Sequence, residues 1–214
     1  MDTMSTLLHL DASARSGSIS RRLSRAYADT WRAANPAGQY RYRDLAADPV
    51  PHITEAWTQL CDHVLANGIT DIGRYREAVR TPEQREAWQV LEPLLDELVA
   101  ADVVLIGTPM YNFSIPSALK AWIDQVTFPK MSLRGRTFVV TSARGGAYGP
   151  GTPREPFDHQ ERYLRDFFLG HFDIEDVRFI NAELVNATID PALAHRLDQH
   201  TASLDAALRA AVTL

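Results

Sequence analysis

The run Asp102-Val103-Val104-Leu105-Ile106-Gly107 constrains this chain more than any other stretch. A strand that is apolar at nearly every successive position is buried on both faces, which requires helices on both sides of a parallel sheet. The remaining sequence supplies the alternation such a sheet needs. Leu7, Leu8 and Leu10 suit a first strand, Gln39 to Leu45 a second, Thr137 to Thr141 a fourth and Val177 to Ile180 a fifth. Helical spacing recurs between them, in Ile19, Leu23, Ala26, Tyr27 and Trp31, and again from Ile53 to Leu65. Thr81-Pro82-Glu83-Gln84 then reads as a capped start for a helix carrying Trp88, Leu91, Leu94, Leu95 and Leu98 inward. Further helices are expected from Pro116 to before Pro129, from Phe157 to Phe168, and from Asp190-Pro191 onward. The fold expected is α/β, a doubly wound five-stranded parallel sheet in the order 2-1-3-4-5 with helices on both faces, as a single domain over residues 1–214. Asp48 to Thr81 is the one stretch that this alternation does not place.

Several function classes are disfavoured by composition and missing motifs. At 214 residues the chain needs no disulfide or metal staple to bury a core. Acidic residues outnumber Lys plus Arg, 27 to 22, and the basic ones are scattered, so neither nucleic acid nor an anionic membrane is an expected partner. Cys61 is the only cysteine, compatible with a reducing cytosol, and a cytoplasmic protein is expected because no secretory or membrane-spanning run is visible. No His-Glu-x-x-His pattern or Gly-x-Ser-x-Gly elbow occurs, and no metal site is expected; His159, His171, His195 and His200 read as surface or helix residues. Lys120 and Asp124 are spaced for a surface ion pair.

In such sheets ligands bind beyond the carboxyl ends of the strands, where the strand order reverses. Three unusual loops follow the first, third and fourth strands, so they converge there. The first, Asp11 to Ser20, precedes a helix whose first amides lack intrahelical acceptors, and Ser13, Ser16, Ser18, Ser20 and Arg15 add donors for an anion. It holds one glycine, Gly17, and neither a dinucleotide fingerprint nor a Gly-Lys-Ser/Thr loop, which favours a single phosphate over a di- or triphosphate. An ordinary serine-capped turn would look the same. The second loop offers Met110, Tyr111, Asn112 and Phe113 between prolines, and the third Ser142-Ala143-Arg144-Gly145-Gly146. A flat ligand with a polar edge and one phosphate matches all three, as flavin mononucleotide (FMN) does. A hydrolase acting on a phosphate ester, or a flavin-binding electron carrier without turnover, fits the same residues.

Met110-Tyr111-Asn112-Phe113, followed by Ile115-Pro116-Ser117-Ala118-Leu119-Lys120-Ala121-Trp122-Ile123-Asp124, resembles the signature of the FMN-dependent NADH azoreductases, which are also NADH:quinone oxidoreductases. Ser13, Ser18-Ile19-Ser20 and Ala143-Arg144-Gly145-Gly146 fall where that family has its other flavin segments. The resemblance implies a flavodoxin-like homodimer with active sites at the subunit interface. It also implies FMN as cofactor, NADH or NADPH as co-substrate, and a quinone or azo compound as small-molecule electron acceptor. By the same analogy Ser13, Ser18, Ile19 and Ser20 bind the ribityl phosphate end, while Met110 to Phe113 and Ala143 to Gly146 border the isoalloxazine. Since the flavin itself would carry the redox chemistry, no catalytic side chain is expected. Two departures stand out. The resemblance implies a longer segment before the fourth strand, with an aromatic residue that leans over the flavin; here only Thr127–Arg136 remains, with Phe128 as its aromatic residue, and Ala143 is inserted after Ser142.

Overall fold

The computed structural model describes residues 5–213. Strands β1 (Thr6–Asp11), β2 (Gln39–Asp44), β3 (Val103–Pro109), β4 (Thr137–Ala143) and β5 (Val177–Ala182) form one parallel sheet in the order β2-β1-β3-β4-β5. Helices α1 (Ile19–Ala34), α2 (Glu55–Ala66), α3 (Pro82–Ala100), α4 (Ser117–Val126), α5 (His159–Phe172) and α6 (Leu197–Ala211) cover it. The expected sheet order is therefore found, and the order reverses between β1 and β3.

The period of two along each strand divides the core into two layers. Leu7, Leu105 and Val139 point to α1 and α6, where they meet Leu23, Tyr27, Trp31, Ala207 and Ala211. Leu8, Leu10, Val104, Ile106, Phe138 and Val140 point the other way, into the larger cluster built with α2 to α5. Neither face of β3 is left for water, which is why it reads as an unbroken apolar run. Helix α3 starts as its sequence predicts. Thr81 Oγ1 accepts from the Gln84 amide at 3.2 Å, and Gln84 Oε1 accepts from the Thr81 amide at 3.2 Å.

The differences from expectation have local causes. β3 and β4 run two residues further because Thr108 pairs with Ser142 and Pro109 with Ala143, carrying the strands to the edge of the loops. α5 begins at His159, capped by Asp158, after a separate 3-10 turn at Glu155–Phe157. The unplaced stretch holds α2 and a 3-10 turn at Ile72–Ala78, whose geometry has no 3.6-residue period to detect. Its Tyr75 is fully buried and stacks on Phe128 at 4.5 Å. Phe128 is thus a core residue, packed also on Trp57, and offers no wall to a ligand. His200 lies on α6 but is buried, with Nδ1 2.8 Å from the Glu183 carbonyl. Lys120 and Asp124 form the expected surface ion pair.

At the end of β1, Asp11 is held in a buried polar knot. Ser24 Oγ donates to its Oδ1 at 2.8 Å, the Tyr42 hydroxyl donates to Oδ2 at 3.1 Å, and Arg21 lies at 3.6 Å. Burial pushes the Asp11 carboxyl up, but hydrogen bonds and charge from His9, Ser24 and Arg21 outweigh it and hold the group below its ordinary range. Gly107 on β3 leaves the room: a Cβ there would lie 2.1 Å from Asp11 Oδ1 and 2.8 Å from Ser24 Oγ. Gly107→Ala is expected to cost about 2–3 kcal/mol, because the added methyl displaces a buried, hydrogen-bonded carboxylate. Urea unfolding measures this, and a cost below about 0.5 kcal/mol would show that the knot does not depend on the missing side chain.

Candidate active site

Beyond the carboxyl ends of β1, β3 and β4 lies a cleft of about 540 Å³, within the range of small-molecule sites. Ten of the residues expected at a flavin site line it: Ser13, Ser18, Ile19, Met110, Tyr111, Asn112, Phe113, Ala143, Gly145 and Gly146. Ser20 and Arg144 do not.

The first wall is the start of α1. Ser18 caps the helix, its Oγ accepting from the Arg21 amide at 3.3 Å, and Ser20, wholly buried, sits 3.1 Å from Ser18 Oγ behind it. Ser13 Oγ accepts from the Arg15 amide at 3.2 Å. Arg21 reaches back to the Ser13 carbonyl at 2.7 Å and to Asp44 at 2.6 Å, which ties the loop to the first helical turn and to β2. The Asp44 ion pair, foremost among the causes, raises the Arg21 pKa, so the tie stays charged. Ser13, Arg15, Gly17, Ser18 and Ile19 line the cleft here, two hydroxyls and a guanidinium at the start of a helix, a composition that suits a phosphate.

The second wall is a tight turn. Tyr111 and Ser114 exchange both backbone hydrogen bonds, at 3.0 and 2.9 Å, around Asn112 and Phe113 with φ of +48° and +68°. Both central residues at positive φ define a type I′ turn, a conformation costly for an aromatic residue at roughly 1–2 kcal/mol. The strain is spent on exposure: Tyr111 and Phe113 project outward, Phe113 stacked on Phe157 at 5.5 Å, where core packing would have hidden them.

The third wall is the glycine loop, and its form depends on a segment that sequence reasoning overlooked. The carbonyls of Arg144, Gly145 and Gly146 accept from the amides of Val185, Asn186 and Leu184, at 3.0, 3.2 and 3.0 Å. With the carbonyls turned to the loop after β5, the amides of Gly145 and Gly146 have no acceptor among the described residues, nor does that of Asn112. A Cβ at Gly145 would lie 2.8–2.9 Å from the Asn186 amide group. Val185, Asn186, Thr188 and Ile189 complete the cleft. Nothing in Ala182 to Asp190 signals a ligand; the hint is only that glycines need a partner to be held by.

Arg144 has a different place from the one its neighbours suggest. Its side chain is 2% exposed and turned away from the cleft, donating to Asp158 at 2.7 Å, Glu161 at 3.1 Å and Ser142 Oγ at 3.1 Å, with Glu183 at 3.7 Å. Glu161 is pushed up by burial but held below its ordinary range by Arg165, Asn181 and Arg144. Glu183 in turn accepts from the Tyr148 amide at 2.8 Å, so the charge cluster anchors the far end of the glycine loop.

The sheet order, the cleft at the reversal and the donor-rich helix start define a flavodoxin-like α/β protein, and the flavodoxin-like fold family matches residues 5–208. The chain is 65% identical over 205 residues to an FMN-dependent NADH:quinone oxidoreductase of Nocardia farcinica, covering 96% of this chain and 95% of that one. It is 39% identical over 219 residues to one from Streptomyces coelicolor, covering 98% and 93%. An FMN-dependent NADH-azoreductase from Bacillus anthracis, solved in complex with FMN, shares the fold with a TM-score of 0.71 at 21% identity, over 96% of this chain and 99% of that one. The chain belongs to the family of FMN-dependent NADH:quinone oxidoreductases.

Proposed function

We propose that this chain, as a single FMN-binding domain, transfers two electrons from NADH to quinones, and to azo compounds, by a ping-pong exchange. The observation that carries the reading is the cleft itself, which offers phosphate donors at one end and aromatic side chains with free amides at the other. The residues present fit FMN. The Ser18-capped helix start, with Ser13 and Arg15, would hold its phosphate, and Met110 to Phe113 with Ala143, Gly145 and Gly146 would border its ring. Ser20 supports Ser18 from behind, and Arg144 supports the glycine loop. Bound FMN supplies the redox chemistry, accepting and releasing two electrons.

The protein's part is orientation and polarity. The amides of Asn112, Gly145 and Gly146, which have no acceptor among the described residues, would donate to a bound flavin ring and favour the negative charge of its reduced form. The cleft beside the exposed Phe113 serves the two co-substrates in turn, so neither must bind beside the other. Over one cycle NADH and one proton from solvent convert a quinone to its hydroquinone, with NAD⁺ released. No side-chain nucleophile is required. A homodimer is proposed with it, as the family resemblance implies. Among the described residues no helix is long and apolar enough to cross a membrane.

Purified protein tests the reading directly. A yellow, FMN-loaded preparation is expected to bleach with NADH under anaerobic conditions and to recover its colour with a quinone, giving parallel lines in double-reciprocal kinetics. A yellow protein indifferent to NADH would instead establish a carrier, and intersecting lines would remove the ping-pong order.

A further inference from the structure

The shortened Thr127–Arg136 segment leaves one side of the cleft without the aromatic wall expected there, because Phe128 is committed to the core. A different segment adds aromatic surface at the rim of the cleft, through Phe113, which lines it. The 3-10 turn at Glu155–Phe157 brings Phe157 onto Phe113, with ring centroids 5.5 Å apart and planes 30° apart, and Tyr148 meets Phe113 edge-on at 6.3 Å. Phe113 and Phe157 are 41% and 49% exposed, an unusual outlay of aromatic surface beside a cleft.

Arg154 lies immediately before this turn and lines the cleft. Its side chain crosses Gly146 so closely that a Cβ there would sit 3.1 Å from Cδ and 3.2 Å from Nη1. The acids around it are engaged elsewhere: Asp158, Glu161 and Glu183 face Arg144, and Glu155 accepts from the Gly151 amide. Among the described residues the cleft lining holds two arginines, Arg15 and Arg154, and no Asp or Glu, in a chain of net charge −5. Arg15 belongs to the phosphate end. Arg154, at the aromatic end, is an exposed cation with a fork of donors and no side-chain partner among the described residues, next in sequence to the turn that carries Phe157.

We infer that Arg154 and the Phe113–Phe157 pair form a subsite for a planar co-substrate that carries a negative group. Two sources share this chemistry: a sulfonate or carboxylate on the electron acceptor, and the pyrophosphate of the nicotinamide dinucleotide. The inference rests on the oxidoreductase reading and adds the substrate class to it. Guanidinium binds such oxyanions through paired hydrogen bonds, and the rings take the flat body of the ligand.

The test uses FMN-loaded protein, wild type against Arg154→Gln and Arg154→Lys, with 1,4-naphthoquinone and 1,4-naphthoquinone-2-sulfonate. Dissociation constants come from the perturbation of the oxidised flavin spectrum, without turnover, and the KM for NADH is measured separately. Arg154→Gln is expected to reduce the preference for the sulfonated over the neutral quinone by about tenfold, with Arg154→Lys keeping most of it. A preserved quinone preference with a severalfold rise in the NADH KM would assign the same subsite to the pyrophosphate. A flavin-loaded Arg154→Gln protein unchanged in both respects overturns the subsite alone. A wild-type protein that takes up no FMN overturns the oxidoreductase reading and the subsite with it.

Discussion

Arg144→Met is expected to destabilise the protein by about 3–5 kcal/mol at neutral pH, the usual cost of removing one member of a buried charge cluster. The guanidinium is 2% exposed and faces Asp158, Glu161 and Glu183 together. Methionine fills the space but leaves three carboxylates close to one another with their common cation gone. Like charges so placed raise one another's pKa. The sign of the pH dependence follows. In the wild type Glu161 lies below its ordinary range, a contribution to stability that is present above the unfolded value and lost as pH falls through the folded one. In the variant the cluster binds protons more readily when folded, so the gap from wild type is widest at pH 7–8 and narrows toward pH 5. Urea midpoints across that range measure it, and a gap independent of pH would mean that lost packing, not charge, explains the cost. FMN affinity should fall too, since Glu183 holds the Tyr148 amide and Asp158 caps α5.

That role was hidden in the sequence for a physical reason. A motif position says that a residue type recurs beside a ligand, and Arg144 sits between two cleft residues, Ala143 and Gly145. Which way its side chain turns depends on Asp158 and Glu161 from α5 and Glu183 beyond β5, acids 14, 17 and 39 positions away whose convergence no local pattern encodes. The strands and helices were legible because burial on two faces writes itself as continuous apolar runs and 3.6-residue spacing. Ser18 was legible as a cap, Thr81 and Gln84 as a capping box, and the Met110–Phe113 stretch as a loop between prolines. The type I′ turn was not, because Asn-Phe lacks the glycine that normally marks one, and strain at Phe113 becomes visible only once φ is measured. The loop after β5 escaped for a related reason. It contributes backbone amides, which carry no residue signature, to the carbonyls of residues 144–146.

Ser18→Asp separates the phosphate seat from the stability of the helix that makes it. Ser18 has extended backbone, φ −73° and ψ 151°, and its Oγ accepts from the Arg21 amide. Aspartate caps as well as serine, and its charge is favoured by the positive end of the α1 dipole, so the thermal midpoint should hold or rise slightly. The same carboxylate would stand at the cleft wall where a phosphate is to bind. Two unit charges about 4 Å apart repel by about 4 kcal/mol at the effective dielectric of a protein surface, and half of that survives generous screening by water and salt. FMN affinity is therefore expected to fall by at least about 30-fold, and by several hundredfold where screening is weak. Riboflavin, which has the ring and ribityl chain without phosphate, should bind wild type and variant alike. Fluorescence titration with both ligands reads the difference. Equal weakening of FMN and riboflavin would show that Ser18 touches the ligand elsewhere than at its phosphate, and unchanged FMN affinity would remove the start of α1 from the site.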